Sequence, residues 1–188
     1  MIVLNKIHII IYYRVMIMLL KYNVSNFRAI GHTVEYSMFP LADIQDDTFL
    51  TTIHTKIGEW KVLRRGAIFG PNASGKSTFI KSLRFTRDFV LNPRKSGTGT
   101  GITQFEGDFI DLEYKSTFQF VFFINGEVYQ YGFSLDKKQV NEEWLMILTK
   151  KNFVSMFERV TDEAGKSDIT IGAKLARKNS KNRPVKDR

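Results

Sequence analysis

The apolar positions of the chain follow two rhythms. Leu19 to Phe27 alternates apolar and polar residues, and so does His32-Thr33-Val34-Glu35-Tyr36-Ser37-Met38. Period-two alternation is the mark of a half-buried strand. Arg28-Ala29-Ile30-Gly31 is the turn between them, and Pro40 ends the second, because proline breaks a ladder. Phe49 to Ile57, rich in Thr and Ile, predicts a third strand before Gly58. Val62 to Phe69 predicts a short fourth. Then the period lengthens. Phe79, Ile80, Leu83 and Phe89 recur at helical spacing, with Lys81, Arg84, Arg87 and Asp88 between them.

Alternation returns further on as a β-meander. Asp108–Tyr114, Phe118–Ile124, Val128–Phe133, Gln139–Leu148 and Asn152–Val160 are its expected strands, and Ile169-Thr170-Ile171 a short last one. Asn125-Gly126 is a strong hairpin signal, since both residues accept positive φ. Asp136-Lys137, Thr149-Lys150-Lys151 and Asp162–Ser167 read as the other turns. Asn92 to Gly101, with alternating glycines, is a breaker-rich loop. It is expected to be mobile and close to whatever the central loop binds.

Composition sharpens this picture at three points. With 188 residues, 43% hydrophobic and 25% charged, the chain is one domain's worth and globular. Sixteen Phe and seven Tyr suit a β-rich core, and this aromatic density is read as core rather than a base-stacking surface. The absence of Cys excludes disulfides and Cys-ligated zinc, and it fits a reducing, cytoplasmic setting. The net charge is +9, of which Lys174 to Arg188 supplies +6. A basic body would point to nucleic acid; a basic tail points there less strongly.

Residues 1–17 form an apolar extension. A transmembrane helix wants ~20 apolar residues with few charges, and Lys6, His8 and Arg14 interrupt this stretch. A secretory leader wants a small-residue cleavage site, and none follows. The preferred reading is an over-long N-terminus preceding a start at Met16 or Met18; a membrane role is disfavoured.

The chemistry sits at the change of period. Gly70-Pro71-Asn72-Ala73-Ser74-Gly75-Lys76-Ser77-Thr78 fits G-x-x-x-x-G-K-[ST] at every fixed position. The glycines let main-chain N–H groups approach phosphate oxygens, Lys76 reaches the β- and γ-phosphates, and the Ser77 hydroxyl is placed to ligand Mg²⁺. The following helix aims its positive end at the same anion. Strand, glycine loop and helix are the context the motif requires. Gly165-Lys166-Ser167 echoes its end but lacks the first glycine, since position 160 is Val. No Asn-Lys-x-Asp guanine-reading motif is present, which argues against a GTPase.

Ser25-Asn26-Phe27-Arg28-Ala29-Ile30, followed by Ile68-Phe69 and the P-loop, resembles the opening of ABC-type ATPases of the SMC and RecF branch. It is similar also to the bacterial AAA-family ATPases associated with overcoming-lysogenisation-defect and abortive-infection phage defence. Phe118–Ile124, Tyr129–Phe133, Glu143-Trp144-Leu145 and Phe157-Glu158-Arg159 resemble the antiparallel sheet such proteins insert after the P-loop helix. The resemblance covers about residues 18–172. It implies an α/β fold: the N-terminal lobe of a P-loop NTPase, a mixed sheet around the P-loop helix with an inserted meander, and a basic tail from residue 173.

The resemblance also implies ATP and Mg²⁺ as cofactors, Lys76 as the catalytic cation, Gly70 to Thr78 with Arg28 as the nucleotide cradle, and Ser77 with Gln104 as metal contacts. Partners by the same resemblance are a second copy through the nucleotide face, nucleic acid or an effector protein. Such ATPases also need a Walker B strand ending in Asp-Glu, a signature loop and a late switch His. Here the nearest Walker B candidates are Phe109-Ile110-Asp111 and Phe133-Ser134-Leu135-Asp136, without the run or the Glu. The domain is therefore expected to be incomplete. Four functions stay open: an ATPase lobe, a nucleotide-binding module without turnover, a nucleic-acid-binding protein that uses its tail, and a small-molecule kinase.

Overall fold

A computed structural model describes residues 2–4, 17–41, 47–92, 97–107 and 115–176. Its centre is a seven-stranded sheet. The strands are β2 (Ile17–Ser25), β3 (Val34–Ser37), β7 (Ser116–Ile124), β8 (Glu127–Leu135), β9 (Val140–Leu148), β10 (Phe153–Thr161) and β11 (Ser167–Ile171), in the order β11-β10-β9-β8-β7-β2-β3. Every pairing in it is antiparallel. The meander from β7 to β11 follows the sequence pattern closely. Asn125 and Gly126 close the β7–β8 hairpin at φ 51° and 80°, the handedness a two-residue turn needs.

Two elements cover the sheet. Helix α1 (Lys76–Leu91) lies on one face, where Phe79 joins Tyr22, Val24, Phe27, Phe118, Phe133 and Leu135 in one buried cluster. Phe118 is at its centre, with ring centroids 5.7 Å from Phe27, 5.5 Å from Phe85 and 5.3 Å from Phe133. The hairpin β4 (Leu50–Thr55) with β5 (Gly58–Leu63) covers the opposite face, burying Ile53 and Val62 against Leu20, Val121, Phe123 and Val128. Alternate residues of β7 and β8 thus feed two separate cores, as strand geometry requires; in β2 a bulge between Leu19 and Lys21 turns Leu20 to the face opposite Tyr22 and Val24.

Two expectations change. The sheet packed against α1 is antiparallel, not mixed: the P-loop strand does not join it. The stretch from Val62 to Phe69 is also not one strand. It divides into the end of β5 and a separate β6 (Gly66–Ile68), which pairs with β1 (Ile2–Leu4). The division has a local cause. Arg64 stays tied to the start of the β4–β5 hairpin, its backbone N–H on the Phe49 carbonyl at 2.8 Å and its Nε on the Leu50 carbonyl at 2.6 Å. The expected strand over 108–114, most of residues 1–17, and the tail beyond Ala176 lie outside the described residues.

Candidate phosphate-binding site

The loop from Gly70 to Thr78 connects β6 to α1, the strand-to-helix junction the motif demands. Ala73 takes φ 64° and Gly75 φ 89°, so the chain passes through the left-handed region twice before the helix begins. Gly75 is the N-cap residue, and Phe79 N–H donates to its carbonyl at 2.9 Å. The amides of Lys76, Ser77 and Thr78 precede that first helical bond. The helix has no side-chain cap and no acidic residue in its first turn. Its positive end is therefore left for an anion.

Lys76 closes the loop from inside. Its ammonium donates to the Gly70 carbonyl at 2.8 Å, to the Pro71 carbonyl, and to Ser74 Oγ at 3.4 Å. A side chain at Gly70 would meet Ser74, since a Cβ there would stand 2.6 Å from Ser74 Oγ. Pro71, Asn72, Ala73, Ser74 and Ser77 are exposed. A cation held over an open loop, a free hydroxyl at Ser77 and uncapped amides make up the donor set that a magnesium-bound triphosphate takes. Among the described residues no cluster of three His, Asp or Glu could hold a metal ion. A divalent cation here would take Ser77 and phosphate oxygens, as Mg²⁺ commonly does.

Arg28 and Gln104 come together on a neighbouring strip. The turn from Asn26 to Gly31 closes through Phe27 and Ile30, which exchange backbone hydrogen bonds at 2.8 and 2.9 Å. Arg28, exposed at φ 51°, stacks its guanidinium over Phe27, 5.6 Å from the ring centroid. Its N–H donates to the Thr103 carbonyl at 2.9 Å, which sets Arg28 beside the residue preceding Gln104. Ile30 of the same turn faces the loop: a Cβ on Gly75 would lie 3.9 Å from Ile30 Cγ1. The glycine loop behaves differently from expectation. Gly97, Gly99 and Thr100 lie with Phe89 and Val90, at the end of α1 remote from Lys76. Its continuation meets Arg28 at Thr103.

Asp136, one of the two Walker B candidates, is occupied in a turn. Its Oδ1 accepts from Lys138 N–H at 2.6 Å and Gln139 N–H at 2.9 Å, and its Oδ2 from Asn141 Nδ2 at 3.0 Å. Partial burial opposes its ionisation, yet these donors hold its carboxyl below the ordinary value. The other candidate, Asp111, lies outside the described residues.

Sequence reasoning passed over the groups that brace the site. Asn26 is 6% exposed and bonded on both sides of its amide. Ser82 and Thr86, polar and buried, face inward from α1. Tyr22 Oη donates to Ser82 Oγ at 2.9 Å, and Ser82 Oγ donates to the Phe79 carbonyl at 2.6 Å. Thr86 Oγ1 donates to the Ser82 carbonyl at 2.8 Å. This chain of hydroxyls ties β2 to the P-loop helix. Its only sequence signal is Ser and Thr on the apolar face of a helix, where their own backbone bonding satisfies them.

A separate cleft of about 560 Å³ opens at the C-terminal end of α1, between Phe89, Tyr131, Phe133, Glu143 and Arg159. Tyr131 Oη donates to Glu143 at 2.8 Å, and Arg159 pairs with the other Glu143 oxygen at 2.9 Å. Burial, with the Glu143 charge behind it, pushes the Tyr131 hydroxyl up.

A P-loop-type motif at the start of a helix packed against a broad antiparallel sheet gives a sheet-dominated α/β fold. Residues 67–152 match the family model described as "AAA domain, putative AbiEii toxin, Type IV TA system". That span, under half of the chain, runs from β6 through the loop, α1, β7 and β8 to the turn after β9, and it marks a similarity to an AAA, P-loop ATPase type. No curated protein and no solved structure gives a match. Among the described residues, no helix is long and apolar enough to cross a membrane.

Proposed function

We propose that this chain is the nucleotide-binding lobe of an ABC/SMC-like AAA-family ATPase, taking ATP with Mg²⁺ at Gly70–Thr78. The observation that supports the reading most is Lys76: its ammonium is held over an uncapped helix start by the loop's own carbonyls. Lys76 contacts the β- and γ-phosphates, the loop amides cradle them, and Ser77 contributes its hydroxyl to Mg²⁺. Arg28 and Gln104 supply the adjoining rim, Arg28 to the nucleotide and Gln104 to the metal. Phosphoryl transfer to water draws mostly on positioning and charge neutralisation, which this donor set provides. A second copy facing the nucleotide completes the site, and the setting is cytoplasmic phage defence, in keeping with the toxin named in the family description.

The test is calorimetric titration of the chain with ATP and Mg²⁺. Saturable binding is expected, weakened ~100-fold or more in Lys76→Ala; this is about the effect of losing a charge-assisted phosphate contact. No saturable heat, or equal binding by the variant, would sink the proposal. A second reading, binding without turnover, is favoured by Asp136, whose carboxylate is taken up by turn amides. Single-turnover release of labelled phosphate separates the two.

A further inference from the structure

We infer that Asn26 is a positioning residue that presents Arg28 and Gln104 to the nucleotide as one unit; the inference rests on the P-loop reading above. Asn26 is buried, at φ 50°, a left-handed conformation that Asn accepts more readily than most residues. It is bonded in four directions. Its backbone N–H donates to the Gly31 carbonyl at 2.9 Å, closing the turn that carries Arg28. Its Oδ1 accepts from Phe105 N–H at 2.9 Å, holding the strip just after Gln104. Its Nδ2 donates to the Lys115 carbonyl at 3.4 Å, and its own carbonyl accepts from Ser116 Oγ. The last two anchor the assembly to the start of β7.

The strip is thereby fixed at both ends. At the other end Thr100 N–H donates to the Lys137 carbonyl at 3.1 Å, and Thr100 Oγ1 donates to the Asp136 carbonyl. Between these points Thr103 accepts from Arg28 N–H at 2.9 Å. Gln104 therefore lies on a short span stretched between two clamps, and the Arg28 turn hangs on the clamp at Asn26. Removing the amide side chain frees the Phe105 N–H and releases turn and strip from each other. None of the four bonds goes to the loop from Gly70 to Thr78. The inference concerns the rim alone, and Lys76 still holds the phosphates without it.

A double-mutant cycle on the full chain, read by titration with ATP and Mg²⁺, tests it. Arg28→Ala and Asn26→Ala are each expected to weaken binding about tenfold, and the double variant no more than either alone. Asn26→Asp keeps the acceptor for Phe105 N–H and is expected within about threefold of the parent; it also serves if the alanine variant is too unstable. Amide exchange supplies an independent readout: Phe105 and Arg28 N–H lose protection in Asn26→Ala while β7–β8 amides keep theirs. Additive losses, parent-like binding by Asn26→Ala, or equal loss in Asn26→Asp overturns the inference. If the parent itself binds no nucleotide, or Lys76→Ala binds as the parent does, it is the P-loop reading that fails.

Discussion

At the scale of single residues, the loop holds Ala73 and Gly75 in the left-handed helical region, with opposite consequences. Gly75 at φ 89° has open space around it, its nearest neighbour being 3.9 Å from a built Cβ, so an alanine there meets strain and not a clash. Ala73 at φ 64° already carries that strain. Left-handed backbone costs an L-residue about 1–2 kcal/mol. Gly75→Ala should therefore lower unfolding free energy by about that amount, while Ala73→Gly should be neutral or raise it by less than ~1 kcal/mol. Urea denaturation of the two variants checks the pair, and equal effects of the same sign would contradict the geometry. The glycine was legible as a motif position. That the alanine two residues earlier shares its handedness was not, because nothing in a methyl side chain records a backbone angle.

At the scale of elements, α1 is joined to β2 by aromatic packing and by the Tyr22–Ser82–Phe79 hydrogen-bond chain. Burial pushes the Tyr22 hydroxyl up to about 12, against its hydrogen bonding with Ser82 and Thr86, which pulls it down. The unfolded chain loses this proton near pH 10, so above that pH the folded state binds more protons than the unfolded one. The stabilisation is complete below pH ~10 and is lost as pH rises toward 12. About two pH units of separation correspond to roughly 3 kcal/mol at the alkaline end. Tyr22→Phe should give up about 1 kcal/mol at neutral pH through the missing hydrogen bond. It should also flatten the fall of stability above pH 10, leaving the smaller slope of the other raised tyrosines, Tyr36, Tyr129 and Tyr131. A parent-like slope in thermal melts across that range would show that Tyr22 does not ionise with unfolding.

At the scale of the whole molecule, burial is concentrated where the sheet is covered and falls away toward β11, whose five residues are all exposed. Phe118 is fully buried between α1 and the sheet, whereas Ile169 on the edge strand is 55% exposed. Phe118→Ala should cost about 3–5 kcal/mol, because it leaves a cavity among rings that other elements hold apart. Ile169→Lys should change stability by no more than ~0.5 kcal/mol, as surface positions do. Chemical denaturation of both is the check, and comparable losses would mean that the edge is packed as tightly as the centre.

The sequence by itself determined the meander, the hairpin at Asn125-Gly126, a turn at Arg28–Gly31, and the Gly70–Thr78 loop with its helix. Each is written in interactions between residues close in the chain: alternation, positive-φ tolerance, and a glycine–lysine spacing that makes one loop shape. Only the tertiary structure decided that β2 joins the meander, that the P-loop strand lies outside that sheet, and that Val62 to Phe69 breaks at Arg64. The structure also decided that Arg28 and the strip around Gln104 meet across Asn26. Those outcomes depend on hydrogen bonds between residues tens of positions apart, such as Phe105 N–H on Asn26 Oδ1. A linear pattern of apolar and polar positions states which face a residue turns inward, but it does not state which distant partner waits there.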